Sequence, residues 1–96
     1  MVKIGGITPL WRICTETENA GLTCAPHSPF FGPGYLPTVH VLAAKARDSA
    51  IERFYCDLAY DPGAGPAPFE HGWVSVPDGP GLGGDPDPST FEKFLA

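Results

Sequence analysis

The chain has 96 residues, a net charge of −5, 43% hydrophobic and 18% charged residues, enough for one small domain and too apolar for a disordered chain. It lacks the Gly-X-Y period of collagen, any apolar run near the roughly 18 residues of a membrane span, and a signal-peptide apolar core. Its six Lys and Arg are scattered, so it has no basic face for nucleic acid. Cys14, Cys24 and Cys56 are odd in number and form no C-x-x-C pair. Neither a disulfide framework nor a zinc site is suggested, and three small buried thiols in a reducing cytoplasm are expected.

In chain order, Val2-Lys3-Ile4 has the composition of a short strand closed by Gly5-Gly6. Thr8 then suits a helix N-cap and Pro9 the first helical position. Leu10, Ile13, Cys14 and Thr17 fall at i, i+3, i+4 and i+7, one face of a helix that Gly21 ends. Leu22-Thr23-Cys24-Ala25 reads as a buried strand, stopped by Pro26 and followed by His27. Residues 28–34, rich in Pro, Gly and Phe, are irregular. A second helix is predicted over 35–47, with Leu36, Val39, His40 and Ala43 on one stripe and Leu42 and Ala46 beside it. Asp48-Ser49 turns the chain, and residues 51–55 are the next strand. Helices alternating with strands predict an α/β architecture with a parallel sheet and right-handed crossovers.

The remainder differs in composition. Residues 1–54 carry a net charge of +1 and residues 55–96 a net of −6, and residues 61–90 hold seven Pro and seven Gly. This predicts an extended, turn-rich tail. Within it, residues 72–76 alternate as a strand, Asp78-Gly79-Pro80-Gly81 is a turn, and Ser89-Thr90-Phe91-Glu92 matches a capping box that opens a last helix from Thr90 to about Leu95. Two helices and two or three short parallel strands cannot cover both faces and both edges of a sheet. The chain is therefore expected to form a homo-oligomer or to dock on further barrel elements.

Four motifs in order carry a resemblance: Lys3-Ile4-Gly5-Gly6-Ile7-Thr8, Ala25-Pro26-His27-Ser28-Pro29, Ile51-Glu52-Arg53-Phe54, and Val76-Pro77-Asp78-Gly79-Pro80-Gly81-Leu82-Gly83. Together they resemble the last third of the mandelate racemase/muconate lactonizing enzyme group of the enolase superfamily. The resemblance implies the C-terminal fragment of a (β/α)7β TIM-like barrel: residues 1–55 a partial barrel holding its last two parallel strands (22–26 and 51–55) and two helices, and residues 56–96 an extended Gly/Pro-rich strap with a short terminal helix. It also implies that Val2-Lys3-Ile4 is the loop beyond strand six rather than a strand.

Such enzymes remove the proton α to a carboxylate, which takes a bound Mg²⁺ and a positioned base. The resemblance places His27 as that base, at the C-terminal end of a barrel strand, and Glu52 as the contact to the substrate carboxylate or enediolate. The alternative for Glu52 is a strand-end charge pair with Arg53. Ser28 and Phe30 would line the mouth as substrate-binding residues, beside Phe31. The implied substrate is an acid sugar or 2-hydroxy acid, and the implied reaction a dehydration or racemisation. The aspartate that pairs with the histidine, the lysine pair and the acidic Mg²⁺ ligands of such enzymes have no counterpart in these 96 residues. No cofactor is therefore expected for the chain alone, and no turnover. Two other readings stay open: a non-catalytic remnant acting through self-association or partner binding, and a small acidic binding module.

Weaker features have structural explanations. Gly81-Leu82-Gly83-Gly84 does not open a helix after a strand, as a phosphate loop would. Asp78, Asp85 and Asp87 are broken by prolines and lack the bidentate Glu of a calcium loop, so they read as turn formers and helix N-terminal charge. His40 is expected to pack on its helix, and His71, following Glu70 in a turn, to be exposed.

Overall fold

The computed structural model describes residues 2–27, 34–45, 49–52, 69–93 and 95. Its elements are a 3-10 turn over Val2–Ile4, helix α1 (Ile7–Asn19), helix α2 (Tyr35–Lys45), an antiparallel hairpin of β1 (Phe69–Glu70) and β2 (Trp73–Val74), and helix α3 (Pro88–Glu92).

Val2-Lys3-Ile4 is thus not a strand. Gly5 and Gly6 follow with φ of 92° and 115°, a backbone that glycine adopts without penalty and that ends any extended run. Helix α1 begins one residue before the predicted cap. Gly6 is the N-cap, with no side-chain hydrogen bond, in place of Thr8. Pro9 falls at the third helical position, where its missing N–H would have had no intrahelical partner. The C-terminus closes as the sequence predicts. Gly21 has φ 71°, its N–H donates to Glu18 O at 2.9 Å, and the Leu22 N–H donates to Thr17 O at 2.9 Å. That is the paired hydrogen-bond pattern of a Schellman motif.

From α1 only Leu10 and Cys14 are buried. They join Cys24 of the following segment and Val41 and Leu42 of α2 in one cluster. A second cluster, on another side of α2, holds Tyr35, Leu36 and Val39 against Val74, Val76 and Leu82 of the tail. Ile51 packs against both clusters. Thr38 is fully buried, and its hydroxyl donates to Gly34 O at 2.8 Å, so no unsatisfied donor is left there. His40 packs as expected, half-buried, with Nε2 3.1 Å from Leu82 O. Ala43, placed on the apolar stripe by periodicity, is exposed.

Residues 22–27 and Ile51 and Glu52 carry no strand ladder, which departs from the two predicted parallel strands at these positions. Of the first segment only Cys24 is buried; Leu22, Thr23 and Ala25 are exposed. Residues 53–55 lie outside the described residues, as do residues 46 and 47 of the predicted second helix. The strand predicted over 72–76 shrinks to Trp73–Val74, paired to Phe69–Glu70 in the register Phe69↔Val74, Glu70↔Trp73. His71 and Gly72 join the two strands with φ of 51° and 84°, the doubly positive backbone of a type I′ turn. His71 is exposed, as read.

The predicted turn at 78–81 closes two residues later, where the Gly83 N–H donates to Pro80 O at 3.1 Å. The last helix starts at Pro88, not Thr90. Asp87 caps it, accepting the Ser89 N–H at 2.9 Å, and its other oxygen accepts the Ser89 hydroxyl at 2.8 Å. A carboxylate cap followed by proline at the first position outcompetes the Ser-x-x-Glu box.

Candidate functional site

The Schellman turn at Gly21 reverses α1 into residues 22–27, and Cys24 anchors that segment in the core. His27 then stands at its end, clear of the core, with 86% of its side chain exposed. Residues 50–52 run alongside: Ile51 is held by both apolar clusters, which turns the next residue, Glu52, outward. The result is a 2.6 Å contact between His27 Nδ1 and Glu52 Oε2.

In this contact the Nδ1–H donates to the carboxylate. The neutral imidazole then carries its lone pair on Nε2, the nitrogen free to take a proton. Because both side chains are largely open to water, with Glu52 49% exposed, the pair contributes little to stability. Its consequence is orientation. His27 sits between two grooves. One, of about 300 Å³, lies between the two segments and is lined by Ala25, Pro26, His27, Ala50, Ile51 and Glu52. The other, of about 360 Å³, lies on the α1 side, where Leu10, Ile13, Cys24 and Pro26 give it an apolar wall.

Two of the four sequence-predicted site residues, His27 and Glu52, are thus brought together from positions 25 residues apart in the chain. Ser28 and Phe30 lie outside the described residues. Glu52 faces His27, and its other predicted partner, Arg53, also lies outside them. Sequence reasoning missed the neighbour behind this site: Cys14 Sγ and Cys24 Sγ are 3.1 Å apart in the core. Burial, then the bond to Cys24, push the Cys14 thiol up from the ordinary 9.0 to about 12. No local pattern announces a contact between a helix residue and an extended residue ten positions on.

Among the described residues no three His, Cys, Asp or Glu side chains come together as a metal site. Magnesium takes an octahedral oxygen shell, typically one or two carboxylates with water and substrate oxygens. A single carboxylate already bonded to an imidazole does not provide that, so the described residues do not fit a magnesium site.

Residues 1–90 match the family described as Enolase C-terminal domain-like. The match spans most of the chain, and the chain belongs to that family, an α/β family of generally Mg²⁺-dependent enzymes. No curated protein and no solved structure matches it. Among the described residues no helix is long and apolar enough to cross a membrane.

Proposed function

We propose that this chain is the proton-transfer portion of an enolase-superfamily enzyme that acts on the carbon α to a carboxylate. The observation that carries the reading is the 2.6 Å pairing of His27 with Glu52 in a chain of this family. With Nδ1–H held by Glu52, Nε2 of His27 is the base that takes the α-proton of an acid sugar or 2-hydroxy acid. In a dehydratase the same imidazole, now protonated, returns a proton to the leaving hydroxyl; in a racemase it returns one to carbon. Glu52 Oε1 remains to receive a hydrogen bond from the substrate carboxyl or the enediol. The arrangement fits the closing strands of a (β/α)7β barrel with the Gly/Pro-rich tail as a strap, where such side chains gather at one mouth.

The chain alone is read as inactive. A proton of such low acidity yields only in a dry, preorganised site, and here the imidazole stands in water. The test is α-proton exchange in D2O, followed by proton NMR, with a panel of acid sugars. The expected result is no exchange by the chain alone. Exchange appears when the chain is combined with the complementary barrel portion of a family dehydratase supplied with Mg²⁺, and it is lost with His27→Asn. Exchange that survives His27→Asn rules this reading out.

A second reading, a non-catalytic chain acting by self-association or partner binding, is supported by Ile7, Trp11 and Ile13 of α1 and neighbouring Leu22, all at least 41% exposed. Apolar surface of this kind favours burial against another chain. Light scattering after size exclusion would show a defined oligomer, which Ile13→Lys should dissociate.

A further inference from the structure

The pair of thiols behind the site has no part in proton transfer. Cys14 is fully buried and Cys24 is 7% exposed. Both are free, with sulfurs 3.1 Å apart, about 1 Å beyond the length of a disulfide bond. Leu10, Val41 and Leu42 close the core around them. The two thiols differ in access: Cys24 lines the apolar groove of about 360 Å³ on the α1 side, and Cys14 is not part of its wall. A small reagent entering the groove meets Cys24 first and finds Cys14 directly behind it.

We propose that Cys24 and Cys14 form a two-electron oxidation site for a small hydroperoxide, with Cys24 the sulfur attacked and Cys14 the sulfur that resolves it. Cys24 sulfur, giving up its proton, attacks the terminal peroxide oxygen. An S–O bond forms, the O–O bond breaks, and the departing alkoxide or hydroxide takes up the proton released by Cys24. The products are Cys24 sulfenic acid and an alcohol, or water. Cys14 sulfur then attacks Cys24 sulfur. The S–S bond forms, the S–O bond breaks, and hydroxide leaves with the Cys14 proton as water. Two thiols are oxidised by two electrons and one peroxide is reduced. The high pKa of Cys14 agrees with this order, since a thiol held protonated by burial is a poor first nucleophile. The disulfide staples the middle of α1 to the segment that carries His27 three residues beyond Cys24. Reduction by a dithiol reverses it. The inference is independent of the proton-transfer reading.

The test treats the 96-residue chain with stoichiometric hydrogen peroxide, then alkylates it under denaturing conditions for intact-mass and peptide mass spectrometry. The chain has three cysteines. The expected result is three alkylated thiols before treatment and one, Cys56, after it, with a Cys14–Cys24 cross-linked peptide that dithiothreitol removes. In Cys14→Ser, dimedone should trap a sulfenic acid on Cys24. Three alkylated thiols after peroxide, a disulfide to Cys56, or dimedone adducts on Cys14 of the wild-type chain would each overturn the proposal. The wild-type peptide map decides even if the variant fails to fold.

Discussion

Helices α1 and α2 are similar in length and pack on each other, yet they stand differently in the molecule. Helix α1 is amphipathic in the ordinary way: Leu10 and Cys14 go in, while Ile7, Trp11 and Ile13 stay substantially exposed. Helix α2 buries Tyr35, Leu36, Pro37, Thr38, Val39, Val41 and Leu42, residues that point all round its axis. The cause is cover on two sides. Helix α1 and Cys24 take one face, and Val74, Val76 and Leu82 of the tail take the other. A helix apolar on most faces belongs inside a layer, and one with a single stripe belongs at its edge. The half-exposed apolar residues flanking the buried stripe of α1 are what an edge helix shows when a further neighbour would cover it.

The contrast predicts unequal sensitivity. Leu36→Ala removes a buried side chain between α2 and the tail and should cost about 2–5 kcal/mol, enough to abolish cooperative unfolding in a domain of this size. Ile13→Ala, on the half-exposed flank of α1's buried stripe, should cost less, about 1 kcal/mol or below. Urea titrations followed by circular dichroism measure both. Equal losses would mean that the two helices are equivalent and the layer argument wrong.

A smaller effect sharpens the role of the tail. Gly83 has φ 85°, and a Cβ there would stand 2.2 Å from Pro77 Cβ and 2.9 Å from the Pro77 carbonyl oxygen. Gly83→Ala combines left-handed strain with a backbone clash and should cost about 1–3 kcal/mol. The readout is local. The tail lifts from α2, the His40 contact to Leu82 is lost, and the His40 ring resonances shift while those of His27 do not. If His40 is unmoved, the tail is not seated on α2 through this turn.

The same division governs what the residues disclose in advance. Signals that act within a few positions were legible: the i, i+4 pair Leu10 and Cys14 of α1 (Ile13, expected on the same face, stays exposed), Gly21 as its stop, and the irregularity of the Pro/Gly-rich tail. Where two local signals competed, the stronger was underrated, since Asp87-Pro88 caps α3 two residues before the Ser89 box. His71 was read in a turn, but Gly72 was assigned to the strand after it, because a histidine, unlike asparagine, is a weak announcement of the positive φ that makes the two residues one turn. The parallel strands expected at 22–26 and 51–55 depend on partners beyond each segment, and alternation alone cannot supply a ladder. His27 and Glu52 were picked out by resemblance to a family, not by spacing; their contact is a tertiary fact. The Cys14–Cys24 contact had no signal at all, for it needs α1 folded and Gly21 turned before the two sulfurs meet.

The effect smallest at neutral pH concerns that thiol pair. Cys14 is held at about 12, chiefly by burial, against an ordinary 9.0. Below pH 9 the thiol is neutral in both folded and unfolded chains, so it contributes its full share of stability and no slope. Between pH 9 and 12 the unfolded chain gives up this proton and the folded chain keeps it. The unfolded state then binds fewer protons, and stability falls as pH rises. Midpoints of thermal unfolding at pH 8, 9, 10 and 11 should therefore decline across the upper interval. Cys14→Ala, which carries no thiol there, should lower the midpoint at pH 8 but remove much of the alkaline decline. Helix α1 contributes only Leu10 and Cys14 to the core, so this decline reports the attachment of the edge helix. An unchanged slope in Cys14→Ala would assign the alkaline loss to groups elsewhere and leave that attachment independent of the thiol's proton.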